Sequence, residues 1–395
     1  MLNLLLISLV ACSNGRSVST PTNNTVPLVV DAGYNGQATN RAFISIQICQ
    51  PGTNNCQTLD YVVVDTGSVG LNIDGSQLNL ALPSVDYSNN PIYRCAQYGS
   101  GYNFGPMQTA DIRIAGEVAA NFPITIFQNS GPASCSNGSP VVTLNDVVGG
   151  AKAIMGLGVI NPSNSLMYPG LYSCINNNCN PLGTNINITT PLVRNVVSTF
   201  ATDNNGVIFN LPAVRAATNT PITGTLTFGI NTQADNMAPQ SAHTVKANPV
   251  LFANNVPLVG YFSANNGAST TPAIFDSGTP SVQFYSPNIT QCTGAFTGIY
   301  CPNPSPTNWT STISSYNGSE NFPITMSIVD YSSLATIPAI LPGLGQVQTA
   351  NSFTSYGLTF FYGKTIYARF ANNPANIIDP SLPLATGPAW GFKDN

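Results

Sequence analysis

One short pattern occurs twice in the chain and constrains its fold more than any other feature. An apolar run ends in an aspartate, followed by a hydroxyl residue, a glycine and a second hydroxyl residue, at residues 61–68 (YVVVDTGS) and 273–279 (AIFDSGT). Short runs rich in β-branched residues and bounded by glycine are typical of buried strands. The pattern therefore predicts that Asp65 and Asp276 each leave the end of an interior strand. Because a buried carboxylate without a partner is costly, it also predicts that the two meet.

Both copies resemble the active-site signatures of pepsin-like aspartic peptidases. A single copy has an ordinary alternative, a turn in which Asp binds its own backbone and Gly supplies a positive φ. Two copies, each after an apolar strand, favour the functional interpretation. The resemblance implies an all-β, bilobal pepsin-like aspartic protease fold with two related β-barrel lobes and an active-site cleft between them. The chain resembles most closely a proteobacterial group of secreted proteins and lipoproteins that have this pattern.

The same resemblance implies that Asp65 and Asp276 are the catalytic pair. Two carboxylates about 3 Å apart do not both ionise easily, so one keeps a proton while the other is charged. The ionised member takes a proton from a water that attacks a peptide carbonyl, and the other donates to the carbonyl oxygen. The pattern does not assign the resting proton. Residues implied to support the site, by bracing the two loops and by bonding the carboxylates, are Thr66, Gly67, Ser68, Ser277, Gly278 and Thr279.

Residues 95–101 (CAQYGSG) resemble the flap hairpin of the same family. Tyr98 aligns with the flap tyrosine, whose ring and hydroxyl close over substrate. Alternatively, Tyr98 packs a hairpin edge, and Tyr102 or Phe104 covers the cleft. Many pepsin-like enzymes have a tryptophan after the first signature, and residues 69–73 (VGLNI) contain none, which leaves the support of the flap open. The implied flap and substrate-binding residues are Tyr98, Gly99, Ser100 and Gly101.

Further segments support two lobes, predicted at residues 26–211 and 222–395. Residues 26–30, 42–49 and 57–64 have the composition of strands, whereas 161–190 is a loop-like insertion rich in Asn and Pro. A helix is predicted from an N-cap at Thr190 to Phe200, because its apolar residues have helical spacing. Residues 206–211 and 224–230 resemble the strands that cross between lobes. Residues 153–158 (AIMGLG) resemble the element behind the first catalytic loop, and 361–363 (FYG) is interpreted as its counterpart in the second lobe.

The N-terminus predicts export. Residues 1–11 are apolar and too short to span a bilayer, and Leu9–Cys12 (LVAC) resembles a bacterial lipobox, although no Lys or Arg precedes the apolar run. We therefore expect a signal peptide over residues 1–11, lipidation of Cys12 and a polar tether over 12–25. The expected location is the bacterial outer membrane, facing the periplasm or the surface, with membrane contact through the lipid. An ordinary secretory signal is the alternative.

The cysteine count agrees with an oxidising compartment. Of nine cysteines, removal of Cys12 for lipid leaves an even number, which suits disulfides in an exported protein. Six of the cysteines form three pairs of near neighbours across short polar loops, and the remaining two form the fourth pair. The predicted disulfides are Cys49–Cys56, Cys174–Cys179, Cys292–Cys301 and Cys95–Cys135.

Composition excludes other functions. With 7% charged residues and a net charge of −4, the chain has no basic footprint for a nucleic-acid partner. Its one histidine, His243, argues against a serine or thiol peptidase and a zinc site, and we expect it at the surface. We expect a monomeric, acid-favoured aspartic endopeptidase without metal or cofactor, acting on an extended peptide or protein substrate. The alternative is a catalytically inactive peptide- or protein-binding surface lipoprotein on the same fold.

Overall fold

A computed structural model describes residues 23–395 apart from 129, 133–134, 136–139, 161–169, 177, 183–187, 189–190, 249–259, 268 and 372–376. The predicted signal peptide, Cys12, most of the tether and Thr190 lie outside the described residues.

The regular secondary structure in the described part of the chain consists almost entirely of strands. In its first half these are β1 (Thr25–Val30), β2 (Ala42–Cys49), β3 (Cys56–Asp65), β4 (Val69–Asp74), β5 (Asp86–Tyr87), β6 (Asn90–Tyr98), β7 (Gly101–Ile114), β8 (Glu117–Phe127), β9 (Ala153–Leu157), β10 (Leu171–Ile175), β11 (Asn178–Pro181) and β12 (Gly206–Asn210). In its second half they are β13 (Ile222–Phe228), β14 (His243–Lys246), β15 (Phe262–Asn265), β16 (Thr270–Asp276), β17 (Val282–Phe284), β18 (Thr307–Ser314), β19 (Asn321–Ile328), β20 (Gly345–Val347), β21 (Thr354–Gly357), β22 (Lys364–Arg369) and β23 (Ala389–Asp394). Short α-helical turns lie at Leu144–Val147 and Leu358–Phe361, and 3₁₀ turns at Gly75–Gln77, Val197–Thr199 and Gly294–Phe296.

Six strands of the first half close into a barrel in the order β2-β3-β9-β4-β8-β7, because β7 also pairs with β2. Strand β3 is buried on both faces: Val62 and Val64 pack in the main core, while Val63 packs with Phe43 and Ile154 on the other side. Burial on both faces explains why its sequence is a continuous apolar run rather than an alternating one. The barrel therefore holds the end of β3 rigidly.

The second half forms an open sheet in the order β19-β18-β15-β16-β21-β17-β20. Strands β1, β13, β12, β22, β23 and β14 pair in that order and connect the two halves through one continuous sheet. The two segments predicted to cross between lobes are β12 and β13, which pair with each other. The all-β bilobal fold class is confirmed, and the division at residues 26–211 and 222–395 stays a prediction.

All four predicted disulfides form, joining Cys49–Cys56, Cys95–Cys135, Cys174–Cys179 and Cys292–Cys301. Two of them flank the flap strand β6: Cys95 lies on it, and Cys174–Cys179 closes the β10–β11 hairpin whose strand β10 pairs with it. The predicted insertion is therefore not purely loop-like, since it adds two strands beside the flap.

The helix predicted up to Phe200 is wrong. The described residues of this segment contain only the 3₁₀ turn Val197–Thr199. Its apolar side chains are buried as the spacing indicates, but the Asn195 side chain accepts a hydrogen bond from Val197 N at 3.0 Å. Such local side-chain bonds compete with the helical backbone ladder. His243 is exposed, as predicted, and its ring packs against Phe322 and Phe392.

Candidate active site

The two aspartates end matching strands. Asp65 is the last residue of β3, which runs parallel to β9 with Asp65 beside Gly156. Asp276 is the last residue of β16, which runs parallel to β21 with Asp276 beside Gly357. The counterpart of Gly156 is thus Gly357, and the interpretation of residues 361–363 as that element is wrong.

Each of these glycines allows a close backbone approach. A Cβ at Gly156 would lie 2.4 Å from the Cα of Val69, and a Cβ at Gly357 would lie 2.1 Å from the carbonyl oxygen of Ser281. Both contacts are with the chain just beyond the loop that follows one of the two aspartates. A glycine is therefore required behind each loop.

The carboxylates of Asp65 and Asp276 meet across the two loops. A Cβ at Gly67 would lie 2.6 Å from Oδ1 of Asp276, and a Cβ at Gly278 would lie 2.2 Å from Oδ1 of Asp65. Each carboxylate thus lies over the glycine of the opposite loop, where any larger residue would displace it.

Thr66 and Ser277 brace the loops reciprocally. Thr66 Oγ1 donates to the carbonyl oxygen of Phe275 at 2.7 Å and accepts from Ser277 N at 2.9 Å. Ser277 Oγ donates to the carbonyl oxygen of Val64 at 2.7 Å and accepts from Thr66 N at 3.0 Å. All these groups are buried, so the brace fixes one loop relative to the other.

The two carboxylates have different surroundings. Asp65 is only 8% exposed and accepts hydrogen bonds from Gly67 N at 2.8 Å and Ser68 Oγ at 2.5 Å. Burial, followed by the negative charge of Asp276, raises the pKa of Asp65 to about 7, although the bonds from Ser68 and Gly67 oppose the rise.

Asp276 is half-buried and accepts more hydrogen bonds. They come from Gly278 N at 3.0 Å, Thr279 N at 3.1 Å and Thr279 Oγ1 at 2.7 Å. Ser355 Oγ adds a longer one at 3.4 Å, a contact that the sequence pattern did not indicate. Donors of this kind stabilise a carboxylate.

The predicted flap is the hairpin of β6 and β7, with exposed Gly99 and Ser100 at its turn. Tyr98 is half-buried at the end of β6, and its hydroxyl accepts from Asn72 Nδ2 at 3.2 Å. Tyr102 and Phe104 are buried elsewhere, in a cluster with the Cys95–Cys135 disulfide. Burial raises the pKa of Tyr98, the positive charge of Arg94 opposes this rise, and the negative charge of Asp65 adds to it.

Gly101 begins β7 with a φ of 155° and is buried against the carbonyl oxygen of Pro140, 2.5 Å from where a Cβ would lie. A side chain at this position would therefore push the hairpin away from its support. Gly101 holds the flap turn in place, whereas Gly99 and Ser100 face solvent.

Sequence reasoning missed Arg41, which immediately precedes β2. Its neighbour Asn40 donates to the carbonyl oxygens of Pro280 at 2.9 Å and Leu341 at 2.8 Å, which fastens this segment beside the loop that follows Asp276. Nη1 of Arg41 is buried and has no hydrogen-bond partner among the described residues. Burial lowers the pKa of Arg41, and the negative charges of Asp276 and then Asp65 oppose this. A guanidinium therefore lies close to the aspartate pair.

Donor atoms of Cys292, Cys301 and Asp330 form a group close enough to hold a metal ion in the described part of the chain. The disulfide between the two cysteines removes their thiolates, so this group lacks the ligands that a zinc site uses.

Comparison with known proteins places the chain in a family. The model of the family described as "Protein of unknown function (DUF3443)" matches residues 20–392. The chain belongs to this family. No curated protein matches it.

Among solved structures, the family member is similar to the aspartic proteinase from Irpex lacteus, with a TM-score of 0.52 and 14% sequence identity. The match covers 94% of this chain and 97% of that one. At this identity the likeness shows the fold alone, which is that of a bilobal aspartic proteinase.

Proposed function

We propose that this protein is an aspartic endopeptidase in which Asp65 and Asp276 activate a water molecule. The observation that carries the proposal is the position of each carboxylate over the glycine of the opposite loop. Two acids held this closely share a proton and titrate as a unit. Such a pair supplies a base for the attacking water and an acid for the peptide carbonyl without a metal or a histidine.

The different surroundings of the two acids support an assignment of roles. Asp65 is the more buried, and its raised pKa favours the protonated form. Asp276 accepts bonds from Gly278, Thr279 and Ser355, which favour a carboxylate. In the resting enzyme Asp65 then carries the shared proton and donates it to the substrate carbonyl oxygen. Asp276 accepts the proton of the water.

The proposed substrate is a peptide or protein segment in an extended conformation. It lies in the cleft between the halves, below the exposed turn at Gly99 and Ser100. Backbone hydrogen bonds provide affinity in this mode, and alternate side chains enter pockets. The proposed enzyme acts as a monomer.

The test is hydrolysis of a peptide library from acid to neutral pH by the wild type, Asp65→Asn and Asp276→Asn. Asparagine has nearly the same shape as aspartate but neither accepts the water's proton nor shares one. Each variant is expected to lose orders of magnitude in kcat while remaining folded by circular dichroism. Asp235→Asn, which removes an exposed carboxylate, is the matched control and keeps full activity.

A statine-type inhibitor, which mimics the tetrahedral transition state, is expected to block the wild type. Wild-type protein that binds this inhibitor but cleaves no peptide at any pH would favour the alternative, a peptide-binding protein on the same fold. Activity that survives in Asp65→Asn would contradict the dyad directly.

The disulfides are compatible with an exported protein. The described residues include no helix with the length and apolar character needed to span a membrane. We keep the proposal that Cys12 carries a lipid anchor to the bacterial outer membrane. Intact mass and detergent partitioning test it, and a native protein that starts elsewhere and stays in the aqueous phase would contradict it.

A further inference from the structure

Three polar side chains link the body of the first lobe to the flap. Arg94 lies on the flap strand β6 and donates from Nη1 to Oδ1 of Asn72 at 2.7 Å. Asn72 lies on β4 and donates from Nδ2 to the hydroxyl oxygen of Tyr98 at 3.2 Å. Asn72 is in the segment where many pepsin-like enzymes have a tryptophan, and it gives this flap a different support.

Neighbouring residues pack closely against the Arg94 side chain. Gly70 has a φ of 94°, and a Cβ there would lie 2.9 Å from Nη1 of Arg94. The side chain is only 7% exposed, and its second nitrogen, Nη2, donates to the carbonyl oxygen of Val69 at 3.4 Å. Its recorded partners are therefore an amide and a carbonyl rather than a carboxylate. Burying a guanidinium on such partners is costly, which argues for a role beyond stability.

The direction of these hydrogen bonds follows from chemistry. A guanidinium has only donors, so the amide oxygen of Asn72 must face Arg94. The amide nitrogen of Asn72 must then face Tyr98, and the Tyr98 oxygen must accept. Within the described residues the Tyr98 hydroxyl donates to no other group, so its proton is available. Burial also raises the pKa of Tyr98, which keeps that proton in place.

We propose that Arg94 and Asn72 are positioning residues that fix the Tyr98 hydroxyl as an acceptor on the protein side and as a donor towards the cleft. The group that receives the proton is a carbonyl oxygen of the bound peptide, close to Asp65. The identity of this acceptor rests on the proposed function. The direction of the hydrogen bonds does not, because it follows from the free protein.

Asn72→Asp is the decisive variant. Aspartate keeps the shape but has two acceptors, so it pairs with Arg94 and takes the proton of Tyr98. We expect kcat/KM to fall about tenfold, which is the loss of roughly one hydrogen bond to substrate. Tyr98→Phe should lower kcat/KM by the same factor. The double variant should lower it no further, because both changes remove the same hydrogen bond that Tyr98 donates to the substrate. Asn79→Asp adds an equal charge at an exposed site on the same lobe and should leave kcat/KM unchanged.

Arg94→Lys retains a donor to Asn72 and should keep most of the activity. Arg94→Met leaves the Asn72 amide free to rotate and should lose activity several-fold. Independent, fully additive losses in Asn72→Asp and Tyr98→Phe would overturn the proposal. So would wild-type activity in Asn72→Asp.

A second measurement separates this inference from the peptidase proposal. The ¹³Cζ resonance of tyrosine responds to hydrogen bonding of its hydroxyl, and the Tyr98 signal is assigned by its loss in Tyr98→Phe. We expect Asn72→Asp to shift this resonance in the free protein, because the hydroxyl now donates to a carboxylate. An unshifted resonance would overturn the inferred hydrogen-bond direction. An inactive wild type with a shifted resonance would refute only the peptidase function and the substrate acceptor.

Discussion

Thr66→Val removes a hydroxyl that makes two hydrogen bonds of the loop brace. Its loss leaves the carbonyl oxygen of Phe275 and the amide of Ser277 buried without their partners. An unsatisfied buried backbone group costs about 1–3 kcal/mol, so the free energy of unfolding should fall by about 2–6 kcal/mol. That is a large part of the ~5–15 kcal/mol that stabilises a typical protein. Ser277→Ala should cost a similar amount, because Ser277 Oγ satisfies the amide of Thr66 and the carbonyl of Val64.

Urea denaturation with the disulfides intact measures these losses. The matched control is Thr297→Val, which removes an exposed hydroxyl with one hydrogen bond of 2.7 Å to the carbonyl oxygen of Gly294. The free energy of unfolding of this variant should fall by less than about 1 kcal/mol. The double variant of Thr66 and Ser277 should lose less than the sum of the single losses, because either change already frees the loops to move. A Thr66→Val protein whose free energy of unfolding lies within about 1 kcal/mol of the wild-type value would refute the argument from the brace.

Three further predictions concern other parts of the molecule. Removing the Cys95–Cys135 disulfide, which spans 40 residues, should lower the free energy of unfolding by about 4 kcal/mol through loop entropy. Removing Cys174–Cys179, which spans 5 residues, should lower it by about 2 kcal/mol, and urea denaturation midpoints compare the two variants. Arg41→Met removes a positive charge beside the pair and should shift the acid limb of the pH–rate profile upwards by about one pH unit, whereas Arg41→Lys should not. Because the pKa of Asp65 is raised from 3.8 to about 7, its contribution to stability is complete below pH 3.8 and is lost as pH rises through 7. Asp65→Asn should therefore reduce the loss of stability between pH 4 and pH 7, as measured by denaturation at both values.

The sequence predicted best those features that depend on a few adjacent residues. Each aspartate loop is such a feature, because an apolar strand, an acid and a glycine follow one another directly. The three short disulfides are similar, since a polar loop of few residues leaves each cysteine one near neighbour. The barrel order and the continuous sheet between the halves depend on pairings between distant strands, and no local pattern contains them.

The misplaced counterpart of Gly156 shows where local pattern fails. Residues 361–363 have the apolar pair and the glycine that the pattern requires, and their apolar side chains are indeed buried. The strand beside Asp276 instead ends in Ser355, Tyr356 and Gly357. Its polar residues have partners, since Ser355 contacts the carboxylate of Asp276. Strand pairing selects the segment that fits the register, and hydrophobicity alone does not reveal the register.

The missed residues Arg41 and Arg94 have a physical property in common. Only 7% of the chain is charged, so each arginine is a rare residue in this sequence. The ion pairs recorded in the described residues join Lys152 to Asp60 and Lys364 to Asp394, all with solvent contact, and contribute little to stability. Both arginines instead have a buried nitrogen without a partner. Arg41 lies beside the aspartate pair, and Arg94 holds the residue that orients Tyr98. Arg41 and Arg94 are identified in this way only from the structure, because neither the burial of a guanidinium nor the absence of a carboxylate partner can be seen in the sequence.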